Sequence, residues 1–104
     1  MTDRRTLKLQ QQDNVATAME DIAAGETAGV YDLAGALLER LPAGQDIPAG
    51  HKIALGAMQP GELVYKYGQV IGRVSQPIAR GDWVHTHNLE SRRGRGDLCA
   101  AESV

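Results

Sequence analysis

A mainly β fold, barrel-like or clip-like with short helical turns, is what this sequence predicts, and three observations predict it. A turn device of one apolar residue, two further residues and a glycine recurs as Ile22-Ala23-Ala24-Gly25, Ile47-Pro48-Ala49-Gly50, Met58-Gln59-Pro60-Gly61 and Ile78-Ala79-Arg80-Gly81. Glycine supplies the positive φ a tight turn needs, so each copy delivers the chain into a new strand. The runs between turns are short and either alternate in polarity or are rich in Val, Ile and Tyr. Only Leu33 to Leu41 has helical composition, and Gly35 weakens it. The uneven spacing of the turns argues against a solenoid.

Taken in order, residues 6 to 9 alternate as Thr-Leu-Lys-Leu, a short strand with Leu7 and Leu9 inward. Asp13-Asn14 is a turn or cap signal. Val15 to Met19 reads as a short strand or one helical turn, and Leu33 to Leu41 as helix or strand. From Gly50 the pattern is β, with His51, Ile53 and Leu55 on one face and Lys52 and Ala54 on the other. Glu62 to Tyr67 forms the next strand, Gly68 breaks it, Val70-Ile71 resumes it and Gly72 breaks it again. Asp82 to Asn88 follows as a strand with Val84 inward. The ordered domain spans 6–90, between an N-terminal tail at 1–5 and a flexible C-terminal tail at 91–104.

The chain has 104 residues, which makes one small domain. Hydrophobic residues are 42% of it and aromatics 4%, with no Phe, so Val, Ile, Leu and Ala must fill the core. Such a chain has little room for a deep cleft and a complete catalytic apparatus, so it is expected to work with another chain or domain. The net charge of −2 argues against nucleic acid and anionic membranes as partners. Arg92, Arg93 and Arg95 form a basic cluster in the tail and are read as solvated. Cys99 can form no internal disulfide and has no base beside it, so it is read as an inert thiol in a reducing compartment. No apolar run approaches the ~20 residues of a membrane span. The start, MTDRRTLKLQQQ, carries basic residues without a following apolar segment, unlike a secretory signal, and the expected location is cytoplasmic.

GHKIAL at 50–55, KYGQVIG at 66–72 and GDWVHTHNL at 81–89, with Asp13-Asn14-Val15-Ala16 and IPAG upstream, resemble the small N-terminal domain of the altronate and galactarate dehydratases. That domain is of SAF type, and the resemblance implies a β-clip fold. It also implies a hydro-lyase reaction, the loss of water from a sugar acid or diacid to give a 2-keto-3-deoxy acid. A base would take the proton beside the carboxylate while a metal or acid assists departure of the hydroxyl. Relatives carry the domain fused to a larger dehydratase domain or as a separate small subunit, as in (2R)-sulfolactate sulfo-lyase. The chain stops shortly after the domain, so a small subunit with a large dehydratase partner is expected. A divalent metal, iron by resemblance, would be held mostly by that partner, with none required by this chain alone. The other readings are a sulfite-eliminating sulfo-lyase subunit and a non-catalytic carbohydrate-binding or assembly module of SAF type. Relatives often carry His three residues before Asp-Asn-Val. Here Gln10 stands there, and an amide can serve neither as a base nor as a good ligand for most transition metals.

The polar residues of these motifs supply the candidates. His85 and His87 lie two apart on a predicted strand, so both face one way with Trp83, as a metal-chelating pair, a shared-site wall or a purely structural face. His51 follows a turn glycine, as a substrate or metal contact or as a cap. Lys66 is the candidate partner for a substrate carboxylate, or else the solvated neighbour of inward Val64. Arg73 has a similar claim, and Asn88 joins them as a candidate substrate contact. Tyr67 could donate to a substrate hydroxyl. His51, Lys66 and Tyr67 are thus the catalytic candidates. No helix follows any of the glycines, which argues against a phosphate-cradling loop. Asp13 and Asn14 read as a turn rather than a catalytic pair. The strand edges and the Trp83 face leave room for a homo-oligomer of the isolated chain.

Overall fold

The four turn devices close in one way. In each, the glycine sits at positive φ: Gly25 at 89°, Gly50 at 84°, Gly61 at 96° and Gly81 at 94°. The leading apolar residues Ile22, Ile47, Met58 and Ile78 are all buried, and they pair across as bridges, Ile22 with Ile47 and Met58 with Ile78. The amide after each glycine donates to the second residue of its own device: Glu26 to Ala23, His51 to Pro48, Glu62 to Gln59 and Asp82 to Ala79. The repeat in the sequence is therefore a repeat in the backbone.

The computed structural model describes residues 3–91, so Arg92, Arg93, Arg95 and Cys99 lie outside the described residues. Among the described residues there are nine strands and no helix. They are β1 (Arg4–Leu7), β2 (Val15–Ala18), β3 (Thr27–Tyr31), β4 (Leu37–Pro42), β5 (Lys52–Ala54), β6 (Leu63–Lys66), β7 (Gln69–Val74), β8 (Trp83–Val84) and β9 (Leu89–Ser91). The larger sheet has the order β4-β3-β1-β2-β5-β8 and the smaller one β6-β7-β9. Every pairing is antiparallel except that of β1 with β3. The mainly β class holds, while the short helical turns resolve as non-helical turns.

Two apolar clusters fill the interior. One holds Ala16, Ala18, Ile22, Val30, Leu41, Ile47 and Ile53, and the other Val15, Ala54, Met58, Val64, Val74, Ile78 and Val84. Neighbouring residues of β2 and of β5 go to different clusters, as period-two alternation requires of a strand covered on both faces. Ile53 and Leu55 pack on the first cluster and Ala54 in the second, the two faces expected of that segment.

Other segments depart from expectation. The first strand begins at Arg4, inside the expected tail, and its inward residue is Thr6 rather than Leu7. Thr6 is fully buried because its hydroxyl donates to the Gly29 carbonyl. The 33–41 region yields β4, with Gly35 at φ 90° in the turn before it. Gly72 does not break a strand: it lies within β7, where a Cβ would come within 2.5 Å of the Glu90 carbonyl oxygen on β9. Its glycine is a close-approach device.

Candidate functional site

Three turn devices are closed by an acidic side chain just past the glycine. Glu26 accepts from the Ala23 amide, Glu62 from Gln59 and Asp82 from Ala79. The fourth has His51 at that place and Pro48 where the amide would be. Proline has no N–H, so no acid is needed there. Asp21 caps the following Ala49 amide from across the bridge. His51 is thereby released from the turn, and its ring meets Trp83, with centroids 5.5 Å apart and Trp83 Nε1–H donating to His51 Nδ1 at 3.3 Å. A neutral imidazole that accepts at Nδ1 carries its proton on Nε2. In this arrangement His51 is a hydrogen-bond donor through Nε2, with no lone pair free to act as base or metal ligand.

Trp83 lies on β8, the edge strand beside β5, with Ile53 opposite Trp83 and Lys52 opposite Val84. The strand expected to run to Asn88 ends at Val84, and residues 85–88 fold back as a turn. Asn88 is the reason. It is buried, its Oδ1 accepts from the His85 amide at 2.9 Å, and its Nδ2 donates to the Trp83 carbonyl at 2.8 Å. Asn88, a candidate substrate contact, has its amide engaged inside this loop.

His85 and His87 therefore do not share a strand face, yet both reach Trp83. The His85 ring stacks on it, 5.0 Å between centroids and 8° between planes, and His87 lies at 5.5 Å, tilted by 54°. His85 also meets His51 edge-on at 5.0 Å. All three histidines of the chain thus surround its single tryptophan. Burial, then the neighbouring His51, Lys52 and His87, push the His85 pKa down. That shift favours the uncharged imidazole.

Lys52 was not singled out by the sequence, which placed it opposite the His51 face. It stays on that other face, across from Val84 of the second cluster. Burial, followed by the nearby charge of Lys66, pushes its pKa down. Lys66 ends β6 and is half-buried. The next two residues, Tyr67 (φ 59°) and Gly68 (φ 74°), turn the chain into β7. Paired positive φ values mark a type I′ hairpin. Asp13, buried beneath this turn, accepts from the amides of Tyr67 (2.8 Å), Gly68 (2.8 Å) and Gln10 (3.1 Å). Asn14 accepts from the Tyr65 amide and donates to the Leu63 carbonyl. The Asp13-Asn14 turn thus bolts the smaller sheet to the larger.

The remaining candidates lie apart. Tyr67 is exposed at the hairpin tip. Arg73 is exposed on β7, in register with Leu63 and Glu90, and is not among the groups around Trp83. Gln10 lies against Gly68 and lines a cleft of about 550 Å³ with Lys8, Leu9, Leu33 and Leu38. Among the described residues no three His, Cys, Asp or Glu side chains are grouped to hold a metal ion.

The family described as the altronate/galactarate dehydratase SAF domain matches residues 4–92. The chain is 36% identical over 85 residues to an altronate dehydratase of Bacillus subtilis, covering 82% of this chain and 16% of that protein. It is 46% identical over 54 residues to a (2R)-sulfolactate sulfo-lyase subunit alpha of Paracoccus pantotrophus, 52% of this chain and 81% of that one. It is 34% identical over 82 residues to a galactarate dehydratase (L-threo-forming) of Escherichia coli, 75% of this chain and 14% of that protein.

Proposed function

Because the chain belongs to the SAF-domain family of the altronate and galactarate dehydratases, we propose that it is the small component of a lyase that eliminates water from a sugar acid or diacid. In this reading it covers an active site carried mainly by a large dehydratase chain. One observation carries it: three histidines and a tryptophan gather where β5 begins and β8 ends, in a domain too small to enclose a substrate alone. An aromatic wall of hydrogen-bonding imidazoles suits a polar substrate held from the other side by a partner.

The division of labour follows. His51, donating through Nε2, orients or stabilises an oxygen. His85, favoured uncharged and solvent-accessible, can hold or move a proton. A divalent metal, iron by the resemblance, would polarise the leaving hydroxyl from the large chain. The higher identity to the sulfo-lyase subunits, 46% over 54 residues and 47% over 47, favours a sulfonated hydroxy acid as the second substrate class, with sulfite as the leaving group.

The test is capture of partners on the tagged chain from its own cells. The complex would be assayed for 2-keto acid from altronate and galactarate with ferrous ion, and for sulfite from sulfolactate. A large co-purifying chain with either activity supports the reading. Recovery of no large chain would sink it in favour of a stand-alone binding module.

A further inference from the structure

Two leucines stand outside both apolar clusters, each put there by a built feature of the backbone. Leu33 lies in the turn between β3 and β4 and is 64% exposed. That turn is firmly held: the Asp32 amide donates to the Ala36 carbonyl, and Asp32 Oδ1 accepts from the Ala34 and Ala36 amides. Leu38 is the extra residue of a β-bulge, since Val30 is opposite Glu39 and Tyr31 opposite Leu37, and it is 49% exposed. A bulge re-aims a side chain, and both leucines border the cleft that Leu9 and Gln10 also line. A turn position is ordinarily polar, and leucines grouped on a surface mark a contact.

The same cleft carries one cation and one anion, Lys8 and Asp32. The ion pairs of the described residues join Arg4 to Glu20 and Glu26, Arg40 to Asp3 and Arg80 to Glu39, and neither Lys8 nor Asp32 takes part in them. A surface with a groove, protruding leucines and both signs of charge is self-complementary, as a two-fold interface requires. Its place in the fold suits that use. β1 and β5 run the same way, each antiparallel to β2, and β8 is antiparallel to β5. The cleft follows the C-terminal end of β1, whereas His51 precedes β5 and His85 follows β8, at the other end of the strands. β4 and β8 are also the outer strands of the larger sheet, about 24 Å apart at the usual strand spacing. Side-chain amides cap the backbone at two other edges. Gln45 accepts from the Trp83 amide and Asn88 donates to its carbonyl on β8, and Asn14 bonds Tyr65 and Leu63 on β6. Capped edges resist strand addition.

We propose that this cleft binds a second copy of the chain across a two-fold axis. Leu33 and Leu38 of each copy enter the cleft of the other, over Leu9, and Lys8 of each meets Asp32 of the other. An apolar centre ringed by charged and amide side chains is the usual plan of a protein interface. The dimer keeps both histidine faces at its far ends, open to whatever they serve. It goes beyond the lyase reading and does not rest on it, so either idea can fail without the other.

The full chain would be followed by sedimentation velocity from micromolar to millimolar concentration, with the Tm of each variant measured beside it. The weight-average mass of the parent should rise from one chain to two. Leu33→Asp leaves the bonds of its turn in place, so it should keep the fold and raise the dimer dissociation constant at least 10-fold. Lys8→Glu sets like charges against Asp32 of the other copy and should do the same. Met19→Lys changes an exposed apolar residue beside Arg5, at the other end of β1, and should associate as the parent does. A parent that stays monomeric throughout overturns the proposal, even where a larger chain is found to occupy this face. So does parental affinity in both folded cleft variants, or an equal loss of association in Met19→Lys.

Discussion

Removing the Asp13 carboxylate is the sharpest perturbation this fold offers. It accepts three backbone amides, from Gln10, Tyr67 and Gly68, at 2.8 to 3.1 Å. A hydrogen bond to a charged acceptor contributes ~1.5–3 kcal/mol, but these amides lie near the surface and can partly rehydrate, so about 1 kcal/mol each is the working figure. Asp13→Ala should therefore cost ~3 kcal/mol, against a total of ~4–13 kcal/mol for a domain of about 90 ordered residues. Followed by Trp83 fluorescence in urea, with m ~1.5 kcal/mol/M, the midpoint should fall by about 2 M. Asp13→Asn keeps one acceptor but turns an NH2 toward the remaining amides, so it should fall between the two. A midpoint within ~0.3 M of the parent, with unchanged m, would refute the idea that this carboxylate bolts the sheets together.

Other outcomes follow from the same geometry. Gly25 and Gly81 share a positive φ, but a Cβ at Gly25 meets nothing within 4 Å while one at Gly81 would sit 2.4 Å from the Pro42 carbonyl oxygen. Gly25→Ala should cost ~1 kcal/mol from backbone strain alone, and Gly81→Ala distinctly more, read as paired denaturation midpoints. Nitrogen-15 NMR should find neutral His51 protonated on Nε2, and Trp83→Phe should release that preference; an Nδ1–H tautomer in the parent would contradict the assigned hydrogen bond. Glu20 is held below the usual carboxylate range first by the Arg5 amide and then by Arg4, and Glu26 first by Arg4. Their folded pKa values are lowered, so their contribution is complete above the unfolded value near 4.5 and is lost as pH falls through the folded values. Arg4→Met should flatten that part of the stability profile between pH 6 and pH 3.

What was legible in the sequence was what is local. The turn glycines announce positive φ, and the two faces of 51–55 follow from alternation. The gathering of His51, Trp83, His85 and His87 was legible only in part. Period two placed His85 and His87 on one strand face, whereas the buried Asn88 amide folds that segment into a turn, and the rings converge by stacking instead. Lys52 was passed over because its burial comes from tertiary packing that alternation along one strand does not reveal. Gly72 reads as a breaker until β9 is seen crossing it. The pairing of Pro48 with His51 was visible in principle as the one device lacking an acid after its glycine, but the bond that the acid makes in the other three appears only in three dimensions.

The sharing of β2 and β5 between two apolar clusters has a thermodynamic consequence. Neither half of the molecule can open without stripping one face from strands that the other half also needs. Two small cores, each too thin to hold a fold alone, are thereby coupled into one cooperative unit. The slowest amides to exchange with solvent should lie in those two central strands, and the histidine-lined edge at β8 is anchored to the most persistent part of the chain.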